Sequence, residues 1–346
     1  MQCNMINRKE IKKDAVILAI ESSCDETAAA VIRGGREILS NEIMSSCTEH
    51  VKFGGVVPEI ASRAHTLAIS KVVDSALKKA EFTLNELDAI AVTYGAGLLG
   101  ALLVGVSYAK ALSYASGVPL LPVSHIRGHI AACYLNRPEL TPPFVSLLAS
   151  GGHTAVIYVK DYNDFEILGQ TLDDAVGEAF DKVARVLSLD YPGGPNIERL
   201  AKEGENNIKF PPMLKGEKNF DFSYSGLKTA VINYIHTKEQ KGESVNRADV
   251  ACSFQCAAVD VLVNKTIAAA KLKGVKTIAA GGGVVANGYL REKLTEECKK
   301  RDISLYLPER GLCTDNAAMI GAEGYIRYQN GDFADMRLNA EAQVEL

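Results

Sequence analysis

Val16-Ile-Leu-Ala-Ile-Glu-Ser-Ser-Cys-Asp-Glu-Thr-Ala-Ala-Ala-Val-Ile32 is the stretch from which the fold can be read. Val16 to Ile20 is an unbroken apolar run with β-branched members, the pattern of a buried strand. Glu21 to Thr27 is a polar turn, and Ala28 to Ile32 reads as a strand returning beside the first. Gly34-Gly35 closes that hairpin, and Glu37 to Ser46 offers another strand. The pattern recurs downstream: Pro143 to Ala149 is a strand, Ser150-Gly-Gly-His-Thr154 a polar turn, and Ala155 to Val159 the returning strand. Strand, anion-compatible turn, strand, met twice, predicts an internally duplicated α/β fold with a ligand cleft between its halves.

The segments around these copies fit the same scheme. Pro58 opens a helix whose apolar spacing runs through residues 60, 64, 67, 68 and 72. Residues 88 to 93 form a strand that ends in Thr93-Tyr-Gly-Ala-Gly-Leu-Leu-Gly100, and a small-residue helix follows to about Ser116. Gly117-Val-Pro119 stops it, and Leu120 to Val123 leads into a histidine-bearing helix. The three prolines between Tyr134 and Pro143 mark the domain boundary. The expected division is an N-terminal lobe over 15–137, a C-terminal lobe over 138–330, and polar termini at 1–14 and 331–346. Within the second lobe, Leu172 to Leu189 has helical periodicity with a dense acidic beginning, ended by Tyr191-Pro-Gly-Gly-Pro195. Residues 201 to 222 read as an exposed excursion. Helices are expected over Thr229 to Thr237, Val250 to Gly274, from near Tyr289, and over Asp315 to Gln329, with strands at Val275 to Ala280 and Ser304 to Leu307.

The totals narrow the function classes. A chain of 346 residues is too long for one ordinary core, which favours two domains. A formal charge of -4 argues against adhesion to nucleic acid over the whole surface, but leaves room for a local basic patch. Met1 to Asp14 has no apolar core of signal-peptide length, and no uninterrupted apolar stretch reaches the length of a bilayer span. The eight cysteines lack metal-finger spacing, so free thiols in a reducing cytoplasm are expected.

Ser124-His-Ile-Arg-Gly-His129 places two of the six histidines four residues apart. If Ser124 caps a helix, both imidazoles project from one face and can share a metal ion, given a third donor from elsewhere. Packing of His129 and capping by His125 explain the pair equally well. Asp315 is the candidate third ligand, in a two-histidine, one-carboxylate set with open positions; Thr314 or Asp315 can equally be the cap of the final helix. The phosphate candidates are Leu148-Ala-Ser-Gly-Gly152, to which Thr154 adds a hydroxyl, and Gly281-Gly-Gly283, which follows a strand and precedes a helix. Asn287 has an amide suited to a ribose or base edge. Asp181, set among Ala179, Phe180, Val183 and Ala184, is compatible with a ribose hydroxyl. Asp25 and Glu26 in the first turn are either solvated or engaged in coordinating a cation, pairing with a basic group or handling a proton. No Gly-x-x-x-x-Gly-Lys-Ser/Thr motif or dinucleotide fingerprint is present. A split-domain nucleotide cleft of the actin, hexokinase and heat-shock-ATPase type remains.

Taken together, these segments resemble the bacterial TsaD family, the tRNA N6-adenosine threonylcarbamoyltransferases formerly grouped as O-sialoglycoprotein endopeptidases. The matching pieces are Ile20-Glu-Ser-Ser-Cys-Asp-Glu-Thr27, Gly55-Val-Val-Pro-Glu59, Ser62-Arg-Ala-His65, Gly97 to Gly105, Ser124 to His129 and Ser150 to Thr154. They continue with Leu172 to Lys182, Tyr191 to Pro195, Phe222 to Lys228, Gly281 to Asn287 and Cys313-Thr-Asp-Asn316, covering roughly residues 16 to 330 in family order. The resemblance implies a two-lobed actin-like, Hsp70-like (ASKHA) α/β fold with an interdomain nucleotide cleft. It implies transfer of the threonylcarbamoyl group of threonylcarbamoyl-adenylate to N6 of adenosine 37, in tRNAs reading codons that begin with A.

By the family pattern, His125, His129 and Asp315 ligate one divalent metal ion, usually described as iron, with zinc as the alternative. Leu148, Ala149, Ser150, Gly151 and Gly152 contact the adenylate donor, Asp181, Gly194 and Asn287 bind its adenosine part, and Glu26 lies beside the reacting region. Glu198 stands where many members have an aspartate, so a ribose-directed carboxylate is kept on an arm one methylene longer. The implied partners are the tRNA anticodon loop, the TsaB paralogue, the TsaE ATPase and a TsaC-type synthase that supplies the adenylate, in the cytoplasm and with no membrane. The small-residue helix over 101 to 112 fits either that partner interface or the internal core. Arg63, Arg127, Lys182, Lys228 and Arg291 are candidate contacts to RNA phosphates. The competing readings are an actin-like-fold kinase or carbamoyltransferase acting on a small molecule, and a non-catalytic nucleotide-binding scaffold.

Overall fold

The computed structural model describes residues 11–211, 214, 220–344 and 346. The chain divides into two compact units: one runs to His50, resumes over Val56–Glu139 and returns with Asp315–Leu346, while the other comprises Val51–Gly55 and Leu140–Thr314.

The first unit is built on β1 (Val16–Glu21), β2 (Glu26–Arg33) and β3 (Glu37–Ser45), which form an antiparallel meander. A short helix α1 (Cys47–His50) precedes α2 (Pro58–Ala80), which begins at its proline as expected. Next come β4 (Ala89–Gly95), α3 (Leu99–Ser116), β5 (Leu120–Ser124) and α4 (His125–Ala131). β4 and β5 run parallel to β1, so the sheet order is β3-β2-β1-β4-β5.

The second unit repeats this plan. β6 (Phe144–Ala149), β7 (Thr154–Asp161) and β8 (Asp164–Gln170) are antiparallel neighbours. Helices α5 (Val176–Val186), α6 (Gly193–Ala201), α7 (Ser225–Gln240) and α8 (Arg247–Lys273) follow. β9 (Thr277–Gly281), α9 (Gly288–Lys299) and β10 (Ser304–Tyr306) complete it, with β9 parallel to β6 and β10 parallel to β9. The order β10-β9-β6-β7-β8 is the first sheet's order with the labels shifted, so the duplication expected from sequence is present in topology. α8 is long and apolar enough to cross a membrane by length and composition, yet 67% of its most apolar window is buried, and its side chains fill the second core.

The last helix, α10 (Ala317–Asn330), was expected in the second lobe and belongs instead to the first unit. The reason lies in the two faces of the first sheet. Alternate strand residues point to opposite sides. Leu18, Ile20, Ala29 and Val31 pack with α2 and α3, while Ala19, Ile32 and Ala91 lie against Gly321 and Gly324 of α10. Among the described residues it is α10 that covers this second apolar face. At Gly324 a Cβ would lie 2.6 Å from that of Ala91, so the helix can approach this closely only with glycine there. The segment after α10, expected to be a polar terminus, also packs on this unit. Ala334 bridges to Leu120, Leu338 and Ala340 join the core, and Glu341 N–H donates to the Tyr94 carbonyl. At the other end, Lys12 pairs with Asp88 at 2.8 Å; residues 1–10 of the expected polar start lie outside the described residues.

Two other expectations shift. The helix predicted over Leu172 to Leu189 is confined to Val176–Val186, because Asp173 is drawn away to accept the N–H groups of Tyr224 and Ser225 at 2.7 and 3.2 Å, at the start of α7. The Pro-Gly-Gly-Pro stretch, whose composition reads as a helix stop, itself opens α6. Of the excursion expected over 201 to 222, residues 212, 213 and 215–219 lie outside the described residues. No disulfide joins any of the described cysteines.

Gly324→Val should destabilise the protein by about 1–3 kcal/mol through overpacking against Ala91. The urea midpoint reads this directly.

Candidate functional site

His125 is the first residue of α4, directly after β5 ends at Ser124. Ser124 occupies the cap position, but its hydroxyl makes no cap hydrogen bond and is buried without a partner. The four-residue spacing nevertheless sets both imidazoles side by side, with ring centroids 4.6 Å apart and planes at 78°. Far along the chain, α10 is capped by Asn316, whose Oδ1 accepts Met319 N–H at 3.0 Å. The expected cap at Thr314 or Asp315 is therefore displaced by one or two residues. Asp315, just before the cap, turns its Oδ1 to within 3.5 Å of His125 Nε2 and 3.3 Å of His129 Nε2. One ligand atom from each of the three residues lies within 4.8 Å of the others.

The donor chemistry fits a cation. His129 is 1% exposed, and among the described residues neither of its ring nitrogens makes a hydrogen bond, although Asp315 Oδ1 lies 3.3 Å from Nε2. A buried imidazole in that state is costly, and coordination through Nε2 relieves it. Two histidines and a carboxylate suit iron or zinc better than calcium or magnesium.

The first turn lies in the same unit. Glu21, fully buried, accepts Ser23 N–H on Oε1 and the Thr93 hydroxyl on Oε2, each at 2.5 Å, and Oε2 lies 3.2 Å from His125 Nδ1. Burial alone lowers the proton affinity of His125, but Asp315 and Glu21 outweigh it and raise its pKa to about 9. Glu26, whose Oε1 accepts the Ser45 hydroxyl at 3.0 Å, is pushed up to about 9 by burial and by the charges of Asp25 and Asp315. His65 braces this turn: its ring nitrogens contact the Thr27 hydroxyl at 2.8 Å and the Cys24 carbonyl at 2.9 Å. Sequence reasoning passed over Glu21. The available signal was a carboxylate at the end of an apolar strand, where burial demands partners.

The second unit gathers the other expected residues by itself. Leu148 and Ala149 end β6, Ser150 is buried, and Gly151 and Gly152 are exposed. Ser150 N–H is committed to the His153 carbonyl at 2.8 Å, and the Thr154 hydroxyl, offered above to a phosphate, accepts Val176 N–H at 2.8 Å at the start of α5. Gly282 has φ +102° and packs against Ala149, so the two glycine turns adjoin. Asp181 Oδ1 accepts Gly193 N–H at 2.7 Å, which joins α5 to the turn bearing Gly194. Glu198 Oε1 accepts Gly288 N–H at 3.2 Å. Asn287 caps α9 through Oδ1, accepting Leu290 N–H at 3.0 Å, and donates from Nδ2 to Gln255 at 2.8 Å. Asp181, Gly194, Glu198 and Asn287 are thus linked through α5, α6 and the start of α9. Gln255, which orients Asn287, was not foreseen.

The chain is 56% identical to the tRNA N6-adenosine threonylcarbamoyltransferase of Clostridium botulinum (strain 657 / Type Ba4) over 337 residues, covering 97% of this chain and 99% of that protein. The chain belongs to the TsaD family. The TsaD family model, described as tRNA N6-adenosine threonylcarbamoyltransferase, matches residues 37–322 and so includes His125, His129 and Asp315. A TsaD relative from Clostridium beijerinckii is 54% identical, over 96% of this chain and 98% of its own length. Among solved structures, HypF of T. kodakarensis aligns with a TM-score of 0.64 at 16% identity, over 93% of this chain and 49% of HypF. Component A of (R)-2-hydroxyglutaryl-CoA dehydratase from Acidaminococcus fermentans aligns at 0.53 and 14% identity, over 92% of this chain and 99% of that one. These likenesses show the fold alone: it is the two-lobed actin-like, Hsp70-like (ASKHA) architecture.

The cations offered above to RNA fare unequally in this TsaD chain. Arg127 is buried against Glu323 at 3.3 Å and serves the packing of α4 on α10. Arg291 donates to the carbonyls of Val285 and Pro308. Lys182 and Lys228 both bind Asp174, at 2.7 and 2.9 Å. Arg63 is exposed and pairs with Glu59 on its own helix at 2.7 Å, where solvent screens the contact. Burial acts to raise the Asp174 pKa, but the hydrogen bonds from Lys182 and Lys228 prevail and hold it below the ordinary carboxylate range. A carboxylate depressed by folding adds stability above its unfolded pKa of about 3.9, and this is lost as pH falls through the folded value. Asp174→Asn should therefore cost about 1 kcal/mol at pH 7, with the gap to wild type closing toward pH 3 in denaturant titrations.

Proposed function

We propose that the protein transfers the threonylcarbamoyl group of threonylcarbamoyl-adenylate to N6 of adenosine 37, in tRNAs reading codons that begin with A, with release of AMP. One observation carries the reading. A chain 56% identical to a curated threonylcarbamoyltransferase brings two imidazoles and a carboxylate from distant stretches within 4.8 Å of one another.

In this reading His125, His129 and Asp315 hold one divalent ion, Fe2+ in our assignment with zinc as the alternative. Such an ion supplies Lewis acidity toward substrate oxygens. The donor is a mixed anhydride and already activated, so alignment and charge stabilisation are what the chain's own groups must provide. The adenine N6 attacks the carbonyl carbon, the new C–N bond forms, and the carbonyl carbon–oxygen bond to phosphate breaks with its electron pair leaving on AMP. The turn from Leu148 to Gly152 receives the adenylate phosphate. Asp181, Gly194, Glu198 and Asn287 hold its adenosine part. Glu26 takes the N6 proton. A carboxyl raised to about 9 is protonated at neutral pH, so it can act as acceptor only where positive charge offsets Asp25 and Asp315, as a nearby dication does.

The anticodon loop is the macromolecular substrate in this proposal. A TsaB-type paralogue, a TsaE-type ATPase and a TsaC-type synthase are the assembly and supply partners, in the cytoplasm. The face shared by α2 and α3 is the seat assigned to the paralogue: Leu67, Leu99, Leu103 and Tyr114 are exposed there, beside a shallow groove lined by Ile69, Val104 and Tyr108.

Purified chain, these partners, threonylcarbamoyl-adenylate and unmodified tRNA, with metal added, should yield modified adenosine 37 and AMP in equal amounts. His125→Ala should lose both metal retention and transfer. Glu26→Gln should keep the metal while transfer falls about 10²–10⁴-fold. Product formed without tRNA, or phosphoryl transfer from ATP, would replace this reading with a small-molecule enzyme.

A further inference from the structure

Glu21 is the most completely enclosed carboxylate beside the histidine cluster, and nothing in the transfer reaction so far uses it. It ends β1, with 0% exposure. Three groups from three elements converge on it. The Thr93 hydroxyl at the end of β4 donates to Oε2, the Ser23 N–H of the first turn donates to Oε1, and His125 Nδ1 at the start of α4 lies 3.2 Å from Oε2. Ser23 Oγ lies 3.1 Å from the same Nδ1.

This arrangement divides the two nitrogens of one ring. A carboxylate accepts and cannot donate, so the Nδ1 facing Glu21 must carry the hydrogen. Nε2, on the opposite side of the ring and 3.5 Å from Asp315, is then the nitrogen left to give up its proton and offer its lone pair when an ion is held with Asp315 and His129. A ligating histidine commonly has its second nitrogen held by a carboxylate in this way, which fixes the tautomer, sets the ring angle and makes the ligating nitrogen more basic. Among the described residues no comparable partner stands behind His129, whose Nδ1 is buried without a hydrogen bond. The cluster is therefore asymmetric, with one braced ligand and one that is held by packing.

We infer that Glu21 is a positioning residue for the metal centre, holding His125 as the Nδ1–H tautomer so that Nε2 is the ligating atom. The inference rests on the ligand assignment proposed above. It concerns retention and geometry of the ion, so it can be read without an activity assay.

The test uses the full-length protein, stripped of metal and titrated with Zn2+ against a chelator of known affinity. Glu21→Leu removes the acceptor at similar volume and should weaken Zn2+ binding about 10–100-fold. Glu21→Gln, which keeps an acceptor without its charge, should fall between it and wild type. In wild-type protein loaded with ¹¹³Cd2+ and labelled with ¹⁵N-histidine, cadmium–nitrogen coupling at His125 should appear at Nε2, with Nδ1 protonated. Unchanged Zn2+ affinity in a folded Glu21→Leu variant overturns the inference, as does coupling through Nδ1. If Glu21→Leu fails to fold, the wild-type coupling pattern decides. Wild-type protein that binds neither ion, or binds it without His125, overturns the ligand assignment itself, which separates that failure from failure of Glu21's role.

Discussion

The docking of α10 on the first sheet is the constraint on which the rest depends. β1, β2 and β4 are buried on both faces, and one of those faces is covered by the last helix of the chain. Glycines at 321 and 324 let that helix come close enough to exclude water. The buried Arg127–Glu323 pair joins it to α4, and such a pair is worth more as registration than as net stability. With α10 seated and capped by Asn316, the carboxylate of Asp315 has little choice of place. It arrives beside two imidazoles whose own positions are set by the end of β5. The site is thus a by-product of core packing between two stretches far apart in the sequence.

Electrostatics in the first unit follow from that packing. Glu21, Asp25, Glu26 and Asp315 crowd near the histidine pair, and burial multiplies their mutual influence. The consequences run in opposite directions for different groups. His125 binds its proton more tightly than a free imidazole, and Glu26 resists ionisation. Such a site is balanced only with a compensating cation, the common reason for carboxylates and histidines to gather out of water. The second unit shows a calmer chemistry: Asp181, Glu198 and Asn287 are each tied to a backbone N–H, so they are rigid before any ligand arrives.

Much of this was legible in the amino-acid sequence, because strand runs and glycine turns are local signals. The repeat of strand, turn and strand announced the duplication, and the histidine spacing announced a shared face. What escaped reading was non-local. The allegiance of α10 depends on which sheet lacks cover, and no periodicity within residues 315 to 330 records that. The short α5 depends on Asp173 being recruited by the backbone of residues 224 and 225. Arg127 looks like a surface cation in any linear view, and its burial appears only when Glu323 is brought opposite. Glu21 escaped because a strand-end glutamate resembles many solvated turns until Thr93 and His125 close over it.

The interrupted path of the first unit has a consequence for biosynthesis. Apart from Val51–Gly55, the second unit is one continuous segment and can be completed while the ribosome is still elongating the chain. The first unit cannot. Until the closing stretch from Asp315 emerges, its sheet has one bare face, and the two imidazoles have no third donor. A nascent chain that has not yet exposed Asp315 therefore offers two of the three ligands, and the full donor set forms only once that stretch has joined the first unit.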